Sequence, residues 1–283
     1  MNNVLASYQH SLSLKDFRKL ASYIERNVGI KMPEQKLLMM QARLSSRLNV
    51  LEIADFSEYV DYVLSGKNNE EVMHMIDVMT TNLTYFFRES THFDYLSEKI
   101  LPDFVLQNRK KIKVWSAGCS TGQEPYTISI VLKEFLRRQE LYKFNFSILA
   151  TDVSTRVLAI AEKAIYPLDS VSKIPMPIKK KYFLKSKDSK KELVRLKADV
   201  RNSVEFKHLN FIDRDYGLNE SFQIIFCRNV LIYFDKETQK KVLEKFMKYL
   251  EPGGFLFLGH SETIMNMNLP LKTVAPTVFQ KIQ

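Results

Sequence analysis

Residues 112–138 read IKVWSAGCSTGQEPYTISIVLKEFLRR. Ile112 to Ala117 is a short apolar run of strand length. It runs into the loop Ser116-Ala117-Gly118-Cys119-Ser120-Thr121-Gly122. From Pro125 to Arg138, Tyr126, Ile128, Val131, Leu132 and Phe135 recur at helical spacing. Strand, glycine loop and helix in this order predict the opening unit of a parallel sheet wrapped by helices. Such sheets bind ligands at the carboxyl ends of their strands.

The cadence continues outward. Phe144 to Ala150 predicts a second strand, which ends in Thr151-Asp152, and a helix follows from about Thr155 to Ala164. Later come strands near Val204–Leu209 and Phe222–Cys227, a helix over Lys236–Leu250 and a strand at Phe255–Leu258. Residues 173–197 interrupt the pattern: they are basic, contain Pro175 and Pro177, and predict an insertion with short strands of its own.

Toward the N-terminus the texture is purely helical. Leu14, Phe17, Ala21, Ile24 and Val28 fall on one stripe between Ser13 and Gly29, which suit the two caps. Pro33 fits a first helical turn before Leu37, Met40, Leu44 and Leu48. Phe56, Tyr59, Val60, Val63 and Leu64 form a third stripe closed by Gly66, and Val72, Met75, Ile76, Met79 and Leu83 a fourth. The expected organisation is a helical domain over 1–80, a linker and helix over 81–111, and an α/β domain over 112–283. The inserted β-subdomain is expected at about 173–200.

Bulk properties narrow the function classes. The longest apolar stretch, Phe222 to Phe234, is broken by Arg228 and Asn229, too short and too charged for a membrane span. The N-terminal MNNVLASYQH has neither a basic start nor an apolar signal core. Cys119 and Cys227 make no disulfide framework and suit a reducing, cytoplasmic compartment. They read as small core residues. The five histidines show no paired ligand spacing, so no metal is expected. The net charge of +10 fits nucleic acid, an anionic membrane or an acidic protein surface. Residues 173–207 hold twelve Lys/Arg against four Asp/Glu, and residues 15–47 hold eight against three. A solvated face kept for solubility would look the same.

Three sites could carry chemistry. The 116–122 loop has glycines that let backbone approach a ligand, but lacks the G-x-G-x-x-G spacing of a dinucleotide site and the Lys-Ser/Thr end of a P-loop. An adenosine-type ligand without pyrophosphate fits better, and a tight structural turn fits as well. Asp152 ends the second strand, where a carboxylate accepts hydrogen bonds from ribose hydroxyls or caps the next segment. Cys227-Arg228-Asn229-Val230-Leu231-Ile232-Tyr233-Phe234 ends the fourth strand without the Asn/Asp-Pro-Pro-Tyr/Phe motif usual in nucleic-acid amino methylases. A charge there must find a partner or a ligand.

Five stretches in order, TTNLTYFFRE (80–89), WSAGCSTGQEPYT (115–127), ILATDVS (148–154), FCRNVLIYFD (226–235) and LEPGGFLFLGHSE (250–262), resemble the CheR family of chemotaxis receptor methyltransferases. The resemblance runs from about residue 14 to the end. It implies a Rossmann-like S-adenosylmethionine-dependent methyltransferase domain behind a helical one, with S-adenosylhomocysteine as product. It implies that Asn82, Thr84 and Arg88 reach the cofactor, that Gly118 and Glu124 lie beside it, and that Asp152 holds the ribose. Asn210 and Phe211 match the adenine pair, and Arg228 and Asn229 the pair near the methionine portion. Arg88 and Tyr233 are the expected catalytic residues, one holding the substrate carboxylate, the other hydrogen-bonding at the transfer site. An interdomain salt bridge and a core aromatic are their alternatives.

The expected reaction esterifies glutamates on the cytoplasmic methylation helices of receptors, by a monomer recruited to arrays at the inner membrane, with neither nucleic acid nor membrane insertion involved. Lys36, Arg43 and Arg47 share a helix face that family members use to approach those acidic helices. An ordinary solvated face is the alternative. One departure stands out: Phe183 to Arg195 has no glycine, whereas tether-binding members carry a glycine-bearing turn there. Independence from a receptor C-terminal pentapeptide is therefore expected. The rivals are a nucleic-acid methyltransferase, favoured by charge alone, and a non-catalytic S-adenosylmethionine sensor.

Overall fold

The computed structural model describes residues 11–80, 82–141, 144–188 and 190–282. The segment MNNVLASYQH lies outside the described residues, as do Thr81 of the first family stretch and Ser189 of the insertion. Two compact units are present, one of the residues before Asn82 with Tyr233–Asp235, the other of Asn82–Ile232 and Lys236 onward.

In the first unit, α1 (Leu14–Val28) starts at Ser13, whose hydroxyl accepts from the Asp16 N–H at 3.1 Å. It ends at Gly29, whose φ of 74° is the left-handed cap that glycine adopts without strain. Pro33 precedes a 3-10 turn, Glu34–Lys36, so α2 (Leu37–Leu51) begins later than the proline suggests. In α3 (Phe56–Leu64), Asp55 accepts from the Glu58 N–H while the Glu58 carboxylate accepts from that of Ala54. These reciprocal bonds satisfy donors that a helix start leaves open. α4 (Asn69–Met79) stops where Thr80 turns extended, so Leu83 lies beyond the helix and is 74% exposed. Phe17, Ile24, Met40, Leu44, Leu48, Phe56, Tyr59 and Val63 are buried as the stripes predict, whereas Leu14 of the first stripe is 41% exposed and Leu20, outside it, is buried.

The second unit opens with α5 (Thr91–Tyr95), a π turn over Leu96–Ile100 and α6 (Leu101–Leu106). Then follow β1 (Lys111–Ala117), α7 (Gln123–Arg138), β2 (Asn145–Asp152), α8 (Thr155–Lys163), β3 (Ile165–Pro167), α9 (Met176–Tyr182), β4 (Phe183–Lys185), β5 (Leu193–Leu196), α10 (Ala198–Arg201) and β6 (Val204–His208). The last elements are β7 (Phe222–Cys227), α11 (Lys236–Tyr249), β8 (Leu250–Leu258), β9 (Leu271–Ala275) and β10 (Val278–Lys281).

The large sheet has the order β6-β2-β1-β7-β8-β10-β9. Its first five strands are parallel, and β10 and β9 close one edge antiparallel. That edge is not foreseen in the sequence, because β9 is half exposed and shows no apolar run. The small antiparallel sheet, β3-β5-β4, begins at Ile165, ahead of the basic stretch, because Ile165–Pro167 pair with Leu193–Arg195.

Alternation along β1 builds two cores. Val114 belongs to a buried cluster with Phe93, Leu96, Ile128, Leu132, Ile148, Ile224 and Phe226. Trp115, fully buried, points the other way, edge-on to Phe246 at 5.0 Å, and its indole N–H donates to the Thr151 hydroxyl at 3.0 Å. Each buried side chain of this size stabilises by roughly 1.5–3 kcal/mol. From β1 the chain winds to β2 and β6 on one side, then crosses to β7 on the other. The strand order therefore reverses between β1 and β7, where doubly wound sheets open a crevice.

Candidate active site

Four strand ends converge on that crevice. At the end of β1, the N–H groups of Gly118 and Cys119 both donate to the Thr151 carbonyl, at 2.8 and 2.9 Å. Gly118 takes φ 84°, and a Cβ on it would meet Val230 Cγ2 at 2.4 Å. Ser120 is left-handed, φ 50°, and turns its N–H to Asp152 Oδ2 at 2.8 Å. Asp152 Oδ1 accepts from the Ser154 N–H at 3.0 Å. One carboxylate thus orders the glycine loop and the start of the segment leading into α8, while the cap of α8 itself is Ser154, whose hydroxyl accepts from the Val157 N–H.

The segment 82–90 packs against the same loop. The Ser120 hydroxyl donates to the Asn82 carbonyl at 3.0 Å, and the Phe87 N–H to the Thr127 hydroxyl at 3.2 Å. Phe87 and Glu89 are both left-handed, φ 57° and 53°, which puts Arg88 at the centre of a strained turn. Its guanidinium donates to the Leu83 carbonyl at 2.8 Å and lies 5.7 Å from the Tyr85 ring. Thr84 is half-buried in the same segment.

Beyond β7, Arg228 is 5% exposed and reaches three groups. Its Nη2 donates to the Arg88 carbonyl and lies 3.4 Å from Glu89 Oε2, and its Nε is 3.6 Å from Glu124 Oε2. Nε and Nη1 are buried without a hydrogen-bond partner. Burial pushes the Glu124 carboxyl up, against the pull of Arg228 and of the Ser116 hydroxyl 2.7 Å away. Burial acts on Glu89 in the same direction, but the charge of Arg228 and hydrogen bonds from Asn229 and His260 outweigh it and hold Glu89 low. One guanidinium therefore sits between a carboxyl held low and one pushed up.

His92 and His260 flank this pair. Burial, then the Arg228 cation, hold His92 down to about 4, so its ring is neutral at physiological pH. Glu89, His92 and His260 bring one ligand atom each within 4.8 Å of one another. Arg228 already supplies positive charge at the same Glu89 oxygen, so the arrangement is an ion-pair network before it is a cation site.

At the end of β6, Asn210 Oδ1 accepts from the Ile212 N–H at 3.1 Å. The Phe211 ring is buried edge-on to Phe246 at 5.4 Å. Asn82, Arg88, Gly118, Glu124, Asp152, Asn210, Arg228 and Asn229 thus all belong to the α/β unit. Tyr233, at the end of the 3-10 turn Leu231–Tyr233, groups with the helical unit, where its carbonyl accepts from the Lys31 N–H at 2.9 Å. In that unit Arg43 donates to the carbonyls of Val78 and Met79 at the end of α4, and Arg47 pairs with buried Glu71. Lys36, half-buried, closes the 3-10 turn before α2.

Comparison with known proteins settles the family. A model described as "CheR methyltransferase, SAM binding domain" matches residues 82–279, and "CheR methyltransferase, all-alpha domain" matches 15–80. The chain belongs to the CheR family. It is 38% identical to the chemotaxis protein methyltransferase of Borreliella burgdorferi over 96% of this chain and 95% of that one. It is 35% identical to that of Salmonella typhimurium (98% and 94% covered), and 34% to chemotaxis protein methyltransferase 2 of Pseudomonas aeruginosa (98% and 96% covered). The family resemblance, the fold class and the cofactor expected from the sequence all hold. The protein is an S-adenosylmethionine-dependent chemotaxis receptor glutamate methyltransferase. Among the described residues no helix is long and apolar enough to cross a membrane.

Sequence reading passed over Glu89, His92, His260 and Glu262. Glu89 ends the TTNLTYFFRE stretch and Glu262 ends LEPGGFLFLGHSE, so position within a motif was the available signal.

Proposed function

We propose that the crevice at the ends of β1, β2, β6 and β7 holds S-adenosylmethionine extended across the sheet, with Asp152 at the ribose. Asn210 and Phe211 border the adenine, Glu124, Arg228 and Asn229 the methionine portion, and Asn82, Thr84 and Arg88 close the site. The observation that carries this reading is Arg228: two of its buried nitrogens lack hydrogen-bond partners, which fits a ligand with a carboxylate of its own.

When bound, the cofactor supplies a methyl group activated by a sulfonium. The protein has little acid–base work to do, because a glutamate with a pKa of about 4.3 is already a nucleophilic carboxylate at neutral pH. Its task is alignment and exclusion of water, and good alignment contributes on the order of 7–11 kcal/mol. Arg88 is the residue for holding the substrate carboxylate, and Tyr233 for hydrogen-bonding near the transferred group. Arg88→Ala is expected to lose turnover far more than affinity for S-adenosylhomocysteine. Parallel loss of both would make Arg88 a cofactor ligand first.

The substrate is the acidic methylation helices on the cytoplasmic side of the receptors, approached by a cytoplasmic monomer through Arg43 and Arg47 of α2 together with Lys36 of the 3-10 turn before it. Arg43 and Arg47 also brace α4, so Lys36→Glu is the cleaner probe, expected to raise the KM for receptor. The turn between β4 and β5 contains no glycine, which supports docking without a C-terminal tether. Receptor-bearing membranes incubated with labelled cofactor are expected to release volatile methanol in base. Base-stable label would mean an N-methyl product, and absence of label a sensor. Measurable binding of a receptor C-terminal pentapeptide would overturn tether independence.

A further inference from the structure

Glu262 is 7% exposed, and its carboxylate accepts four backbone hydrogen bonds. Oε1 takes the N–H groups of Val230 and Leu231 at 2.9 and 2.7 Å, and Oε2 those of Asn229 and Gly259 at 3.0 and 2.6 Å. An ionised carboxylate offers about four acceptor positions, and here four donors fill them. Burial pushes the carboxyl up, and the four N–H groups pull it back.

Three of those donors are consecutive residues of the loop after β7, and the fourth follows β8. Without an acceptor there, three successive N–H groups would be buried and unpaired, so the loop would take another path. Its present path holds Asn229 in the left-handed region, φ 60°, with its amide donating to Glu89 at 3.3 Å. It also seats Val230 against Gly118, so the loop after β7 limits the path of the loop after β1.

We infer that Glu262 is a positioning residue that shapes the part of the site where the methionine end of the cofactor binds. It touches neither cofactor nor substrate in this role and acts through Asn229 and Val230. The inference rests on the proposed placement of the methionine portion at Arg228 and Asn229. A glutamine at 262 keeps the size but replaces one oxygen with an NH2 group facing two N–H donors, so the near-isosteric change is the damaging one.

The test compares two ligands on the full chain by calorimetry: S-adenosylhomocysteine, and 5′-methylthioadenosine, which lacks the amino-acid end. For Glu262→Gln the Kd for S-adenosylhomocysteine is expected to rise about tenfold or more, while that for 5′-methylthioadenosine stays within about twofold. General loss of structure would weaken both alike, and that result, or an unchanged Kd for both, overturns the inference. Asn229→Gly removes the side chain and tolerates the left-handed backbone. If it leaves the ratio of the two affinities at the wild-type value, the placement of the methionine end fails, and the inference with it. If it shifts the ratio and Glu262→Gln does not, the inference alone fails. Should Glu262→Gln not accumulate in folded form, Glu262→Asp, which keeps two oxygens one methylene further back, carries the same comparison.

Discussion

Arg228 lies between two carboxylates, and its removal would leave Glu89 and Glu124 facing each other in a buried site. Arg228→Met is expected to destabilise the protein by about 3–5 kcal/mol in urea unfolding, the usual cost of orphaning buried charge. His92 gives a second test. Its folded pKa of about 4 lies below the usual value near 6.5, so the unfolded chain binds the extra proton first. The His92 contribution is complete above about pH 6.5 and fades as pH falls toward 4. His92→Gln should flatten that part of the stability–pH curve, and an unchanged slope would assign it to other groups. The place of Asp152 at the end of β2 was legible from the sequence, because the apolar run stops there. Glu262 was not, since the three consecutive loop donors it binds lie more than thirty positions away in the chain. Nothing local marks it as buried.

The loop between β1 and α7 allows no side chain at its first glycine. Gly118→Ala would place a methyl group into Val230 on a backbone that disfavours it, and S-adenosylhomocysteine binding should drop by an order of magnitude or more. Adding Val230→Ala should recover part of that loss, because it relieves the contact but not the φ of 84°. Between α7 and α9, Glu134 accepts from the Lys181 ammonium and the Tyr182 hydroxyl, each at 2.5 Å. Burial raises its carboxyl, but these bonds and that from Arg137 outweigh it and bring the pKa to about 2. A depressed acid stabilises above its unfolded pKa and loses that contribution as pH falls through the folded one. The stability difference between wild type and Glu134→Gln should therefore be flat above about pH 4.5 and shrink toward pH 2. Elements with strong periodicity, α1 to α3 and β1 to β2, were readable in advance. The β9–β10 edge and the short β3 were not, because their pairing partners rather than their own composition make them strands.

Across the whole chain, positive charge gathers in residues 173–207, twelve Lys/Arg against four Asp/Glu. If this charge speeds encounter with acidic receptor helices, rising salt should lower the methylation rate mainly through KM, leaving kcat nearly constant. A proportional fall in kcat would place the charge effect at the chemical step instead. The two units also differ in a way an experimenter can exploit. The chain's single tryptophan, Trp115, is buried on β1 three residues before Gly118, and the helical unit has none. Its emission should be blue-shifted in the native state and should report on the methyltransferase unit alone. A denaturation curve followed by tryptophan fluorescence then isolates one domain, while far-ultraviolet circular dichroism sums both. Any gap between the two midpoints would measure how independently the helical domain melts.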